Sequence, residues 1–102
     1  MTEIRFSYNW NNKLQCKAFT TVRLLSNKSY NVNDIVKIIY KNESFNAKII
    51  DIKEFYFADI NNYIAFLDTG YCVEEHQLIL RRMYKNVNWN TQKLLLILLR
   101  RL

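Results

Sequence analysis

The sequence predicts an α+β domain, a small open β-barrel of about five to six strands with two helices inserted before the last strand. Three observations carry that expectation. Alternation with a period of two dominates the chain from Ile4 to Phe57. Apolar spacing then changes to steps of three and four between Ile60 and Tyr84. A short apolar run bounded by charge, Leu94 to Leu99, closes the chain.

The elements follow in order. Ile4, Phe6 and Tyr8 alternate with Arg5, Ser7 and Asn9, the pattern of a half-buried strand. Trp10 to Gln15 is polar and predicts a surface crossing, with room for one short helical turn. In the second strand, Phe19 to Leu24, Val22 and Leu24 take one face and Phe19, Thr21 and Arg23 the other. Leu25 to Val32 is a loop, and Asn33-Asp34 a tight turn, because Asn tolerates positive φ. Ile35 to Tyr40 is a strand with Val36, Ile38 and Tyr40 opposite Lys37, and Lys41 to Ser44 turns the hairpin. Phe45 to Phe57 is one long strand whose apolar phase switches between Ile49 and Ile50, as a β-bulge requires. Such bent strands close small barrels.

Ile60, Tyr63, Ile64 and Leu67 form a helical stripe that ends at Asp68-Thr69-Gly70. Gly70 is the sole glycine and reads as the left-handed residue after the helix. Val73 to Tyr84 is the second helix, acidic at its start (Glu74, Glu75) and basic at its end (Arg81, Arg82, Lys85). Its buried side is expected to be Val73, His76, Leu80, Met83 and Tyr84. After the Asn86–Asn90 loop, Leu94 to Leu99 reads as a buried closing strand within Thr91–Leu102.

Composition narrows the function. The 102 residues suit one domain spanning 1–102, and 50% hydrophobic content without proline argues against disorder. The opening MTEIRFSYNW lacks the character of a signal peptide, and no apolar run approaches the roughly 20 residues of a membrane helix. Cys16 and Cys72 form no metal pattern and read as small buried hydrophobes with reduced thiols. The chain is therefore expected to be soluble and cytoplasmic, with no cofactor, no metal and no membrane partner. A net charge of +6 favours an anionic partner such as nucleic acid, against the plainer reading of a solvated basic surface.

Thr20, Thr21 and Arg23 are the most informative group. Arg offers a planar fork for phosphate or a base edge, and Thr a short donor and acceptor beside it. The same residues also suit an ordinary outward strand face. Lys17 and Lys37, with Lys13, Lys28 and Lys48, lie in the same half of the chain, and aromatic residues including Trp10, Tyr71 and Tyr84 can stack bases or build core. Asp68 can accept from a base amine, act as a general base, or simply cap a turn. His76, the only histidine, reads as a packed structural residue.

The segments Phe19-Thr20-Thr21-Val22-Arg23 and Tyr30 followed by Val32-Asn33-Asp34-Ile35-Val36-Lys37-Ile38 resemble the ASCH family of the PUA-like β-barrel superfamily. Val22 stands where its T-I-R element has Ile, and Asn33 where it has Gly. Phe66 to Tyr71, with Met83-Tyr84 beyond, is similar to small bacterial and phage members of that superfamily. The resemblance implies a cleft between the T-x-R strand and the helical insertion that binds RNA or a modified nucleoside. Some small members deacetylate 4-acetylcytidine with a Lys, a Thr and a Glu. Thr21 matches that Thr, but Ala18 stands where the Lys is expected, Lys17 is one place off, and Asp68, Glu74 and Glu75 are out of register for the Glu.

The expectation is a non-catalytic nucleic-acid-binding domain, with RNA or another nucleic acid as the partner. Its binding residues are Lys17, Thr20, Thr21, Arg23, Lys37, Asp68 and Tyr71. An amidohydrolase acting on an acylated nucleoside and a protein-interaction module are the alternatives.

Overall fold

The computed structural model describes residues 1–102, and it has the expected α+β architecture. The elements are β1 (Glu3–Phe6), a 3-10 segment (Trp10–Gln15), β2 (Ala18–Leu24), β3 (Ile35–Tyr40) and β4 (Glu43–Tyr56). A 3-10 turn (Phe57–Asp59), α1 (Asn62–Asp68), α2 (Val73–Met83) and β5 (Lys93–Arg101) complete it. The five strands form one curled sheet in the order β1-β3-β4-β5-β2, a half-barrel whose edges are β1 and β2. Only the β1–β3 pair is parallel. Phe6 of β1 and Phe19 of β2 meet edge to face at 6.2 Å across the curl.

Period-two alternation sorts the apolar residues onto two faces. Leu95, Ile97 and Leu99 of β5 pack inside the curl with Ile4, Val36, Ile38, Ala47 and Ile49. Leu94 turns the other way and joins Val22, Phe57, Ile60, Ala65 and Leu80 beneath the helices. The closing strand is thus buried on both faces, which is why its sequence is continuously apolar.

The bulge falls where the phase switch predicts it. Ile49 pairs with Leu99 and Asp51 with Leu98, so Ile50 is the extra residue. Beyond it, Ile52 packs inside the curl like Ile49. The Asn33 turn also forms as expected, at φ 75°. The hairpin is tighter than expected, because Tyr40 pairs with Glu43 and only Lys41 and Asn42 lie at the tip.

Several expectations are corrected. Trp10–Gln15 does contain a helical turn, but Lys13 and Leu14 are buried rather than crossing the surface. Helix α1 buries Ala65 and Asp68, while Tyr63 and Leu67 of the expected stripe face solvent at 72% and 44% exposure. Met83 of α2 is exposed, although His76 and Leu80 are buried. Cys16 is exposed and Cys72 half-buried, because both sit at the ends of short helical elements rather than on core faces.

No helix is long and apolar enough to cross a membrane. No cluster of three or more His, Cys, Asp or Glu side chains has metal-binding geometry.

Helix α1 starts at Asn61, whose side chain accepts from the Ile64 amide. It ends at Gly70, φ 81°, whose amide donates to the Phe66 carbonyl. That single bond is the left-handed C-cap. A Cβ at Gly70 would also stand 3.1 Å from Asn11 Cγ. Gly70→Ala is therefore expected to destabilise the fold by about 1–2 kcal/mol, read as a lower midpoint in urea unfolding with an unchanged slope.

Candidate functional site

The open seam between the edge strands is a cleft of about 360 Å³. That volume lies in the range of small-molecule sites. Its walls are Arg5, Phe6 and Tyr8 from β1 and the residues after it, Thr21 to Arg23 from β2, Ile39 and Lys41 from the β3 end, and Leu80, Met83 and Tyr84 from the end of α2. Trp10, Lys13 and Asp68 complete it.

Asp68 is the buried anchor. Its Oδ1 accepts from Lys13 Nζ at 2.9 Å and from the Val22 amide at 3.2 Å, and Oδ2 lies 2.8 Å from His76 Nε2. Lys13 Nζ also donates to the Asp68 main-chain carbonyl at 2.6 Å. Val22 lies on an edge strand, where its amide has no neighbouring strand to bond, so the carboxylate replaces the missing partner. Burial alone would push the Asp68 carboxyl up; hydrogen bonds from His76 and Lys13, with the Lys13 charge, outweigh it and hold it below the ordinary range. An ionised Asp68 can only accept, so His76 Nε2 carries the hydrogen and donates. The same burial lowers the Lys13 amine against the opposing pull of Asp68, with the Arg23 charge adding to the fall.

Arg23 is half-buried at the cleft. Its Nε donates to Thr21 Oγ1 at 3.0 Å. The guanidinium carbon stands 4.6 Å over the Phe6 ring. One donor and one face are therefore engaged, while no carboxylate lies within ion-pair distance of the fork. Lys41 lies over Tyr40 and likewise lacks an acidic partner. Tyr84 keeps its phenolic proton, since burial raises its pKa against the opposing charge of Arg23.

Among the residues read from the sequence, Thr21, Arg23 and Asp68 share this cleft. Thr20 points to the other side of the sheet, where it lines a groove beside Tyr63, Ile64 and Leu67, its Oγ1 buried without a partner. Adjacent strand residues cannot serve one face. Lys17 is exposed before β2, and Lys37 is half-buried in the middle of β3; neither lines the cleft. Tyr71 lies outside it too, edge-on to Trp10 at 6.0 Å. Glu74 and Glu75 are exposed on the first turn of α2.

The amine that reaches the carboxylate is Lys13. Its pairing with Asp68 spans 55 positions in sequence, and no local pattern signals it. The one available hint is a lysine beside Leu14 in a segment otherwise rich in Asn.

Replacing Asp68 with Asn should leave Lys13 as an uncompensated buried charge and cost about 3–5 kcal/mol. The pH sign follows from the lowered carboxyl pKa. The contribution of Asp68 is present above its ordinary value of 3.8 and is lost as pH falls through the lower folded value. Urea midpoints of wild type and Asp68→Asn should therefore converge in acid and stand furthest apart near neutrality.

No family model matches the chain. It is 32% identical over 100 residues to the uncharacterized protein MJ0364 of Methanocaldococcus jannaschii, covering 92% of this chain and 87% of that protein. The crystal structure of hypothetical protein PH0355 superposes with a TM-score of 0.75 at 13% identity, over 98% of this chain and 97% of the other. That likeness shows a shared fold. The chain belongs to the family of the MJ0364 protein.

Proposed function

We propose that this member of the MJ0364 family binds RNA, holding one nucleotide of a single strand in the cleft between β1 and β2. The observation that carries the reading is Arg23. Its Nε is held by Thr21 and its plane by Phe6, so the terminal nitrogens are preorganised without an acidic partner. A guanidinium in that state suits a phosphate, which accepts two parallel hydrogen bonds from the fork. Lys41 supplies further positive charge at the rim, where Arg5 also stands, paired with Glu3.

Aromatic rings of Tyr8, Trp10 and Tyr84 line the same cleft and offer faces or edges to a base. The Thr21 hydroxyl accepts from Arg23 and retains its own hydrogen for a sugar or base acceptor. Asp68 acts from behind, because its carboxylate is occupied by protein donors. A net charge of +6 supports an anionic partner. The likeness of Thr20–Arg23 and Tyr30–Ile38 to the PUA-like ASCH family points the same way.

Binding to a short single-stranded RNA should weaken with salt, log K falling by roughly 0.7 per phosphate contact for each decade. Arg23→Ala should weaken it about tenfold or more and remove close to one contact from that slope. Fluorescence anisotropy across a salt series measures both. Absence of binding at low salt, or an unchanged slope in the variant, contradicts the reading.

A second reading, hydrolysis of an acylated nucleoside, is favoured by one observation. A buried amine of lowered pKa, Lys13, lines the cleft with Thr21 and is paired with a carboxylate. Held as an ammonium by Asp68, it keeps one hydrogen free to donate to an acyl oxygen as negative charge develops there. Incubation with 4-acetylcytidine tests it: release of cytidine by wild type but not by Thr21→Ala supports hydrolysis, and no release by wild type excludes this substrate.

A further inference from the structure

We infer that the groove beside Trp10 and Tyr71 is a second base-stacking subsite, which takes the nucleotide next to the one in the cleft. The ligand is then an extended single strand, and its footprint exceeds one residue. This inference rests on the proposed binding of RNA and deepens it.

The groove is contiguous with the cleft. Tyr8 and Trp10 line both, with Tyr71, Asn11, Asn12 and Gly70 on the far side. Its volume is about 370 Å³, enough for a second base and sugar. The three rings form a continuous run leading away from the cleft. Tyr8 and Trp10 are 4.4 Å apart at centroids, and Trp10 and Tyr71 are 6.0 Å apart. Tyr8 is 57% and Tyr71 45% exposed, although neither fills a core position. An aromatic ring left in water on a polar surface has a face to offer, and every base has a π-face to cover it.

The rest of the groove is suited to a base edge. Asn11 and Asn12 are both exposed and both adopt left-handed backbone, at φ 56° and 53°. Their amides carry donors and acceptors of the kind that read exposed base edges. The loop keeps its position because Gly70 admits the Asn11 side chain, which a Cβ would crowd. Arg82, exposed near the end of α2, lines a neighbouring groove against Trp10 and Tyr71 together with Glu75, and adds a cation close to the aromatic pair. Stacking of this kind requires an unpaired base, so the site selects single strands over duplex.

The test compares a 5′-mononucleotide, a dinucleotide and a hexanucleotide of adenine and uracil series, by calorimetric titration at low salt. The dinucleotide is expected to bind about tenfold more tightly than the mononucleotide, since one stacked base is added. Tyr71→Ala should remove that gain without changing mononucleotide affinity, and Tyr71→Phe, which keeps the ring, should retain it. Equal affinity for the two lengths, or an equal loss for both in Tyr71→Ala, overturns the second subsite while leaving the cleft intact. If none of the three probes binds, the cleft reading fails and the second subsite fails with it.

Discussion

A carboxylate removed from water must have its charge and lone pairs satisfied by the protein. At Asp68 they are satisfied by donors from three different elements: Lys13 in the 3-10 segment, Val22 on β2 and His76 on α2. Asp68 itself ends α1. One side chain thus ties together the parts of the fold that β-pairing alone leaves unconnected. It also determines which way α1 faces: with Ala65 and Asp68 turned inward, Tyr63 and Leu67 must turn out. His76 Nδ1 is buried without a partner, a cost accepted for the bond that Nε2 makes.

The cleft depends on that anchor. Lys13 is drawn beneath the seam, and β2 is fixed at Val22, so Thr21 and Arg23 on the neighbouring positions are held at the opening. Strand alternation turns both side chains to the same face, and Phe6 from the opposite edge supplies the surface on which the guanidinium rests. The charge balance also follows. The single carboxylate at the site is consumed by Lys13 and His76, leaving Arg23 and Lys41 to face solvent without an acidic partner. Arrangements in which cations are positioned by neutral groups rather than by counter-charges favour an anionic ligand.

Much of the fold was legible because it depends on local periodicity. The alternation of Val36 and Ile38, the phase switch at Ile49 and Ile50, the doubly buried Leu94–Leu99 run and the left-handed Gly70 each leave a trace in neighbouring residues. The parallel pairing of β1 with β3 leaves none. The site was only partly legible. Thr21 and Arg23 stand out as a polar pair two residues apart on a strand. Lys13 could not be found in this way, since its burial is explained by a residue 55 positions away. The α1 stripe held only in part: Ile60 and Ile64 join the core, while Tyr63 and Leu67 turn out because Ala65 and Asp68 take the inner positions. Thr20 looked like a companion to Thr21, and the pleat separates them.

The central claim is that single-stranded RNA enters the seam between β1 and β2. Titration of ¹⁵N-labelled protein with a short single-stranded RNA at low ionic strength tests it residue by residue. The account predicts that the largest amide shifts fall at Phe6 to Tyr8, Thr21 to Arg23, Lys41 and Tyr84, extending to Trp10 to Asn12 and Tyr71 where the second base stacks, with the solvent face of α1 unchanged. An unperturbed spectrum, or shifts confined to the groove of Thr20, Tyr63 and Leu98, would contradict it.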